Sequence, residues 1–114
     1  MNNDDKFKIV KYLKEFILCL DDYIINFPKK EFEHKNRLVN DSYELLELLY
    51  LANYLDINDR KDIQRKIISK VNIIDFYLEL SYKKHIISER QLNKLSSRLL
   101  TINKLITSWV KYAS

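Results

Sequence analysis

Residues 88–109 read SERQLNKLSSRLLTINKLITSW, and this stretch decides the fold. Leu92, Leu95, Leu99, Ile102, Ile106 and Trp109 recur at alternating spacings of 3 and 4 residues, a strict heptad seam on one face of a helix. In front of the seam stands a capping box. The Ser88 hydroxyl and the Gln91 side-chain amide can each satisfy a backbone N–H that the start of a helix leaves free. The stretch contains neither glycine nor proline, and the whole chain of 114 residues has no glycine and one proline, Pro28. Glycine supplies the left-handed backbone that tight β-turns and many helix ends need, and proline is the other strong punctuator. A chain almost empty of both argues against an all-β domain and against a phosphate-binding α/β domain. It predicts long helices joined by short polar turns.

Working outward, three more helices are legible. The first, over about residues 5–26, has the seam Ile9, Leu13, Phe16, Leu20, Tyr23 and Phe27, and Pro28 stops it. The second, over about 30–55, places Leu38, Ser42, Leu45, Leu49 and Ala52 in its seam. Asp56-Ile57-Asn58 offers caps for a third helix over about 59–84, with Asp59 and Asp62 favouring its positive end and Lys83, Lys84 and His85 its negative end. Its apolar positions are Ile63, Ile67, Val71, Ile74 and Leu78. The capping box opens the fourth, over about 89–112. Helices of similar length joined by short turns predict an all-α, up-down-up-down antiparallel four-helix bundle forming one domain over 1–114.

One segment exceeds what a lone bundle needs. Between Leu45 and Leu55 only Glu47 and Asn53 are polar. A helix apolar nearly all round is buried on more than one side. The expectation is an interface with another subunit through Leu48, Tyr50, Leu51 and Tyr54, one of the two leucines facing away from the bundle's own core.

Composition limits the function. No apolar run approaches the roughly 20 residues of a membrane span. Asp4 and Asp5 stand where a secretory signal would be basic and then apolar, and Cys19 is the single cysteine, so a cytoplasmic setting is expected. Net charge is +4. The charge is unevenly placed. Residues 38–58 carry Asp41, Glu44, Glu47 and Asp56 and no base, whereas residues 90–114 carry Arg90, Lys94, Arg98, Lys104 and Lys111 and no acid. Arg60, Lys61, Arg65, Lys66 and Lys70 open the third helix. The basic lanes either face a polyanion or pair with acidic helices across subunit contacts.

Catalytic and metal signals are thin. Glu31-Phe32-Glu33-His34 supplies one Glu-x-x-His pair, but a di-iron bundle needs two, and His85 has Tyr82 three places before it. The lone pair reads as a surface feature. Cys19 and Trp109 read as core. Neither His34 nor His85 follows an arginine by four to six residues, which disfavours a helical nuclease, and no enzyme activity, metal or cofactor is expected.

Several motifs in order carry a resemblance. They are Asn26-Phe27-Pro28-Lys29-Lys30-Glu31, then Glu44-Leu45-Leu46-Glu47-Leu48-Leu49 with Ala52-Asn53, Ile87-Ser88 with Gln91, Leu95-Ser96, and Ser108-Trp109-Val110-Lys111. Together, over nearly the whole chain, they resemble the four-helix-bundle family of accessory variability determinant proteins of diversity-generating retroelements. A more distant branch comprises the proteins encoded in bacterial 23S rRNA intervening sequences, whose usual Ser-Ile-Pro segment is missing here. The resemblance implies a cytoplasmic, non-enzymatic homopentamer that binds template RNA or cDNA, docks a reverse transcriptase and serves mutagenic copying. Two departures stand out. Asp75 and Glu79 occupy places where family members often carry arginines, and Thr107 and Ser108 replace the glycines usual before the closing tryptophan. The bases expected to neutralise phosphate are Lys29, from the family motif, and Lys30, Arg37, Arg65, Arg90, Lys94 and Arg98, from charge lanes. The alternative is a structural or regulatory interaction module that self-assembles and touches no nucleic acid.

Overall fold

The computed structural model describes residues 3–113, with side chains described for residues 8–111; residues 1, 2 and 114 of the expected domain lie outside that range. Four helices follow one another: α1 (Asn3–Ile24), α2 (Phe32–Tyr54), α3 (Lys61–Lys83) and α4 (Glu89–Ala113). They form an up-down-up-down antiparallel bundle of about 43 × 23 × 19 Å. α1 packs on α2 and α4, and α3 packs on the same two, so α2 and α4 lie diagonally. No helix is long and apolar enough to cross a membrane among the described residues.

The four seams meet in the middle. Leu13, Phe16, Leu38, Leu45, Ile67, Ile74, Leu78, Leu95, Ile102 and Ile106 are all fully buried. Ser42 sits in the same layer without an unsatisfied hydroxyl, because it donates to the Leu38 carbonyl at 2.7 Å. The capping box forms as read: Ser88 Oγ accepts from the Gln91 N–H at 3.1 Å, and Gln91 Oε1 accepts from the Ser88 N–H at 2.9 Å.

Three helix boundaries differ from the sequence reading. α1 ends at Ile24 rather than near residue 26, and the Asn26 and Phe27 N–H groups bond back to Tyr23 and Ile24. That tightening swings Phe27 into the base of the core. A single 3-10 turn, Lys29–Glu31, follows Pro28 before α2 begins at Phe32. α3 begins at Lys61, and the expected caps at 56–58 do not cap it. Its N-cap is Arg60, which uses no side-chain cap bond. Arg60 is instead buried, donating from Nη2 to the Leu55 carbonyl at 2.8 Å, with its guanidinium 5.7 Å from the Trp109 ring centroid. One side chain thus ties the α2–α3 turn to the end of α4.

The end of α3 shows how a chain without glycine closes a helix. His85 adopts φ 61, the left-handed region. Its N–H bonds the Tyr82 carbonyl at 3.0 Å, and the Ile86 N–H bonds the Ser81 carbonyl at 2.8 Å. These are the two bonds of a Schellman motif, with histidine in the position glycine normally takes.

Candidate nucleic-acid interface

The bundle sorts the chain's bases into tied and untied groups. On the α2–α3 face they are tied. Lys70 bonds Glu44 at 2.6 Å and Asp41 at 3.3 Å. The hydrogen bond to Lys70 holds the Glu44 carboxyl below its ordinary range, and the same bond pushes the Lys70 ammonium up. Arg37 Nε lies 3.4 Å from Asp41, and its guanidinium stands 5.7 Å from the Tyr77 ring centroid. Arg65 pairs with Asp62 at 3.4 Å, one α-helical turn away. Part of the acidity of the second helix is therefore met by bases within the same chain.

The α4 lane is different. Arg90, Lys94 and Arg98 recur every four residues and descend one side of the helix. None of them makes an ion pair among the described residues. Arg90 stands in the first turn of α4, where the helix dipole favours an acid over a base. The lane borders α1. Burial, and then neighbouring Cys19, push the Tyr23 phenol above its ordinary pKa, while the charges of Arg90 and Arg98 pull against that rise. Tyr12 and Glu15 of α1 share a shallow groove with Arg98 and Thr101 of α4. The result is a row of cations flanked by two tyrosines, with Glu15 as the one acidic member of that groove. A positive track with aromatic neighbours is the chemistry that holds single-stranded nucleic acid.

The remaining expected bases divide by position. Lys29 and Lys30 are exposed in the 3-10 turn, at the end of the bundle where α4 begins. Arg37 lies one turn into α2, diagonally across from the lane. Arg65 is exposed near the start of α3, at the opposite end from Lys29, Lys30 and Arg90. The seven residues therefore form no single patch. The positions where the resembled family often has arginines also point elsewhere. Asp75 is half-buried on α3, in a groove beside Leu99 and Leu100 of α4, and burial, then Glu79, push its carboxyl above the ordinary range.

Part of the outer surface of α2 is apolar. Tyr43, Tyr50 and Tyr54 are exposed at 45, 41 and 87 %, and with Glu47 they repeat at heptad spacing down the side away from the core seam; Ile57, 53 % exposed, follows in the turn after α2. Leu51 is 46 % exposed beside them, whereas Leu48 is half-buried against the core. Of the two leucines expected to divide between core and surface, Leu51 is the outward one. Lys14 of α1 reaches over the Tyr50 ring at 5.7 Å.

His34 corrects the sequence reading. It is buried rather than superficial, and its Nε2 bonds the Ser81 hydroxyl and, at 3.2 Å, the Tyr77 carbonyl. Among the described residues no three histidines, cysteines or carboxylates converge as a metal site. The signal missed in the sequence was Ser81, 47 positions away, whose hydroxyl gives His34 a buried partner. Comparison with protein-family models, with curated proteins and with solved structures finds no match to this chain.

Proposed function

We propose that this protein is a non-enzymatic, self-assembling accessory protein of a retroelement. It holds template RNA or cDNA along the α4 lane and docks a reverse transcriptase. The observation that carries the nucleic-acid part is that Arg90, Lys94 and Arg98 have no ion-pair partner among the described residues, in a structure that pairs Lys70, Arg65 and Lys84 with its own acids. Phosphate contacts of this kind neutralise charge and read no sequence. The retroelement setting, the polymerase partner and a pentameric assembly rest on the family resemblance of the motifs at 26–31, 44–53, 87–96 and 108–111.

The test is a gel shift with mixed RNA and DNA, comparing the natural chain with the triple variant Arg90→Glu, Lys94→Glu, Arg98→Glu. These side chains lie outside the core, so the variant keeps its helicity and loses its binding. Binding unchanged in a folded triple variant rejects the lane.

A second reading has its own support. The apolar outer seam of α2 suits an interaction module that assembles with copies of itself and binds no nucleic acid. An unmutated chain that assembles but shifts neither RNA nor DNA favours that reading.

A further inference from the structure

We propose that the groove between the start of α2 and the end of α3 binds a single nucleotide unit, either free or at an exposed position of a strand. The groove has a volume of about 760 Å³, within the range of small-ligand sites. It lies across the bundle from the α4 lane and does not depend on it.

His34 is the centre of the case. Only 8 % of its surface is exposed. The Ser81 hydroxyl donates to the Tyr77 carbonyl at 2.7 Å, so its oxygen is left to accept. Nε2 of His34 faces that oxygen and the same carbonyl, and therefore carries the ring proton. Nδ1 is then an acceptor. It has no hydrogen-bond partner among the described residues and sits on a residue lining the groove. Burial holds the imidazole below its ordinary pKa, with Lys84 adding to that and the Tyr77 bond and Glu31 opposing it. At neutral pH the site offers a fixed lone pair, which calls for a ligand with a hydroxyl or amino donor.

The other walls complete the chemistry. Phe32 is 64 % exposed and offers a flat ring for stacking. Asn36 and Asn40 present amides that both donate and accept, as the edge of a base requires. Lys30 has no ion-pair partner among the described residues, and Arg37 is ion-paired, with Nε 3.4 Å from Asp41. Lys84 is occupied by Glu31 at 3.2 Å, and Glu33 stands on the rim. With Arg37 paired to Asp41 and Lys84 to Glu31, Lys30 is the one base of the groove without an ion-pair partner among the described residues. That suits one phosphate group, as in a monophosphate or a diester link, and not a triphosphate.

The experiment is calorimetric titration of the full chain with adenosine monophosphate, with a short oligoadenylate and with inorganic phosphate. It is paired with the nitrogen-15 resonances of His34. Saturable binding of either adenosine probe, with a shift at Nδ1, is expected; the tighter probe tells a free nucleotide from a strand. Phe32→Ala removes an exposed ring and leaves the core intact, so it should weaken binding at least about fivefold. The triple glutamate variant of α4 should bind adenosine monophosphate as the natural chain does, which separates this site from the lane. No saturation below about 10 mM, phosphate binding as tightly as the nucleotide, or full affinity in Phe32→Ala would overturn the proposal.

Discussion

Replacing Tyr54 with glutamate should take the assembled protein apart. Tyr43, Tyr50, Leu51, Tyr54 and Ile57 form the exposed apolar side of α2 and the turn after it. With about 200 Å² for a whole aromatic side chain, their uncovered surface sums to roughly 500 Å² per copy. That is as large as the biggest apolar patch of an ordinary monomer. A second copy covering this face contributes a similar area of its own, about 1,000 Å² in all, the lower edge of a specific interface. Tyr54, 87 % exposed, supplies about a third of that area, and an aromatic residue that dominates an interface contributes about 2–4 kcal/mol. Glutamate there should weaken association by roughly 30- to 1,000-fold. Leu51→Glu should act in the same direction. Leu100→Glu, on the exposed surface of diagonal α4, should leave the mass unchanged. Sedimentation equilibrium over a range of concentrations reads all three. An unmutated chain that sediments at 13.8 kDa, the mass of one copy, up to about 100 µM would refute the interface, because the patch area would then be too weak to hold two copies.

Three further outcomes follow from the packing. His85→Gly relieves a left-handed residue that costs about 1–2 kcal/mol, offset by the freedom glycine adds to the unfolded chain. The net gain of about 0.5–1 kcal/mol should raise Tm by a few degrees, and His85→Val should lower it. Arg60→Leu removes the bond to the Leu55 carbonyl and the contact with Trp109. It should cost about 2 kcal/mol in denaturant unfolding followed by Trp109, the only tryptophan. His34, faced by Lys84, Glu31, Arg37 and Tyr77, has a folded pKa below its unfolded value. Unfolding then takes up protons as pH falls, so stability present above about pH 6.5 should decline below it, by at most about 1.4 kcal/mol per pH unit. His34→Gln should flatten the slope in that window. A slope unchanged in the folded variant would assign it to other groups.

The seams were legible because a buried helix face must repeat at its own period. The same holds for the Ser88–Gln91 box, whose partners lie three residues apart. What escaped the sequence depends on distant partners. Arg60 looks like one more base in a run with Lys61, and only the fold brings Trp109, 49 positions on, beneath it. His34 follows Glu31 and Glu33 at a helix start and reads as surface until Ser81 and Tyr77 are seen behind it. His85 carries no mark of its left-handed backbone, since the glycine that would signal it is absent from the chain. The charge lanes were visible as numbers, but their meaning depended on pairing. Lys70 is neutralised across α2 and α3, while Arg90, Lys94 and Arg98 pair with no acid among the described residues.

Whether that lane serves a polyanion is most directly tested by the salt dependence of binding to a labelled single-stranded RNA, read by fluorescence anisotropy. Three phosphate contacts predict that log affinity falls with log salt at a slope of about −2, roughly twentyfold between 50 and 200 mM. The triple glutamate variant should lose that dependence along with the binding. Affinity that stays flat across this range, or a slope that persists undiminished in the folded variant, would contradict a phosphate-binding role for α4.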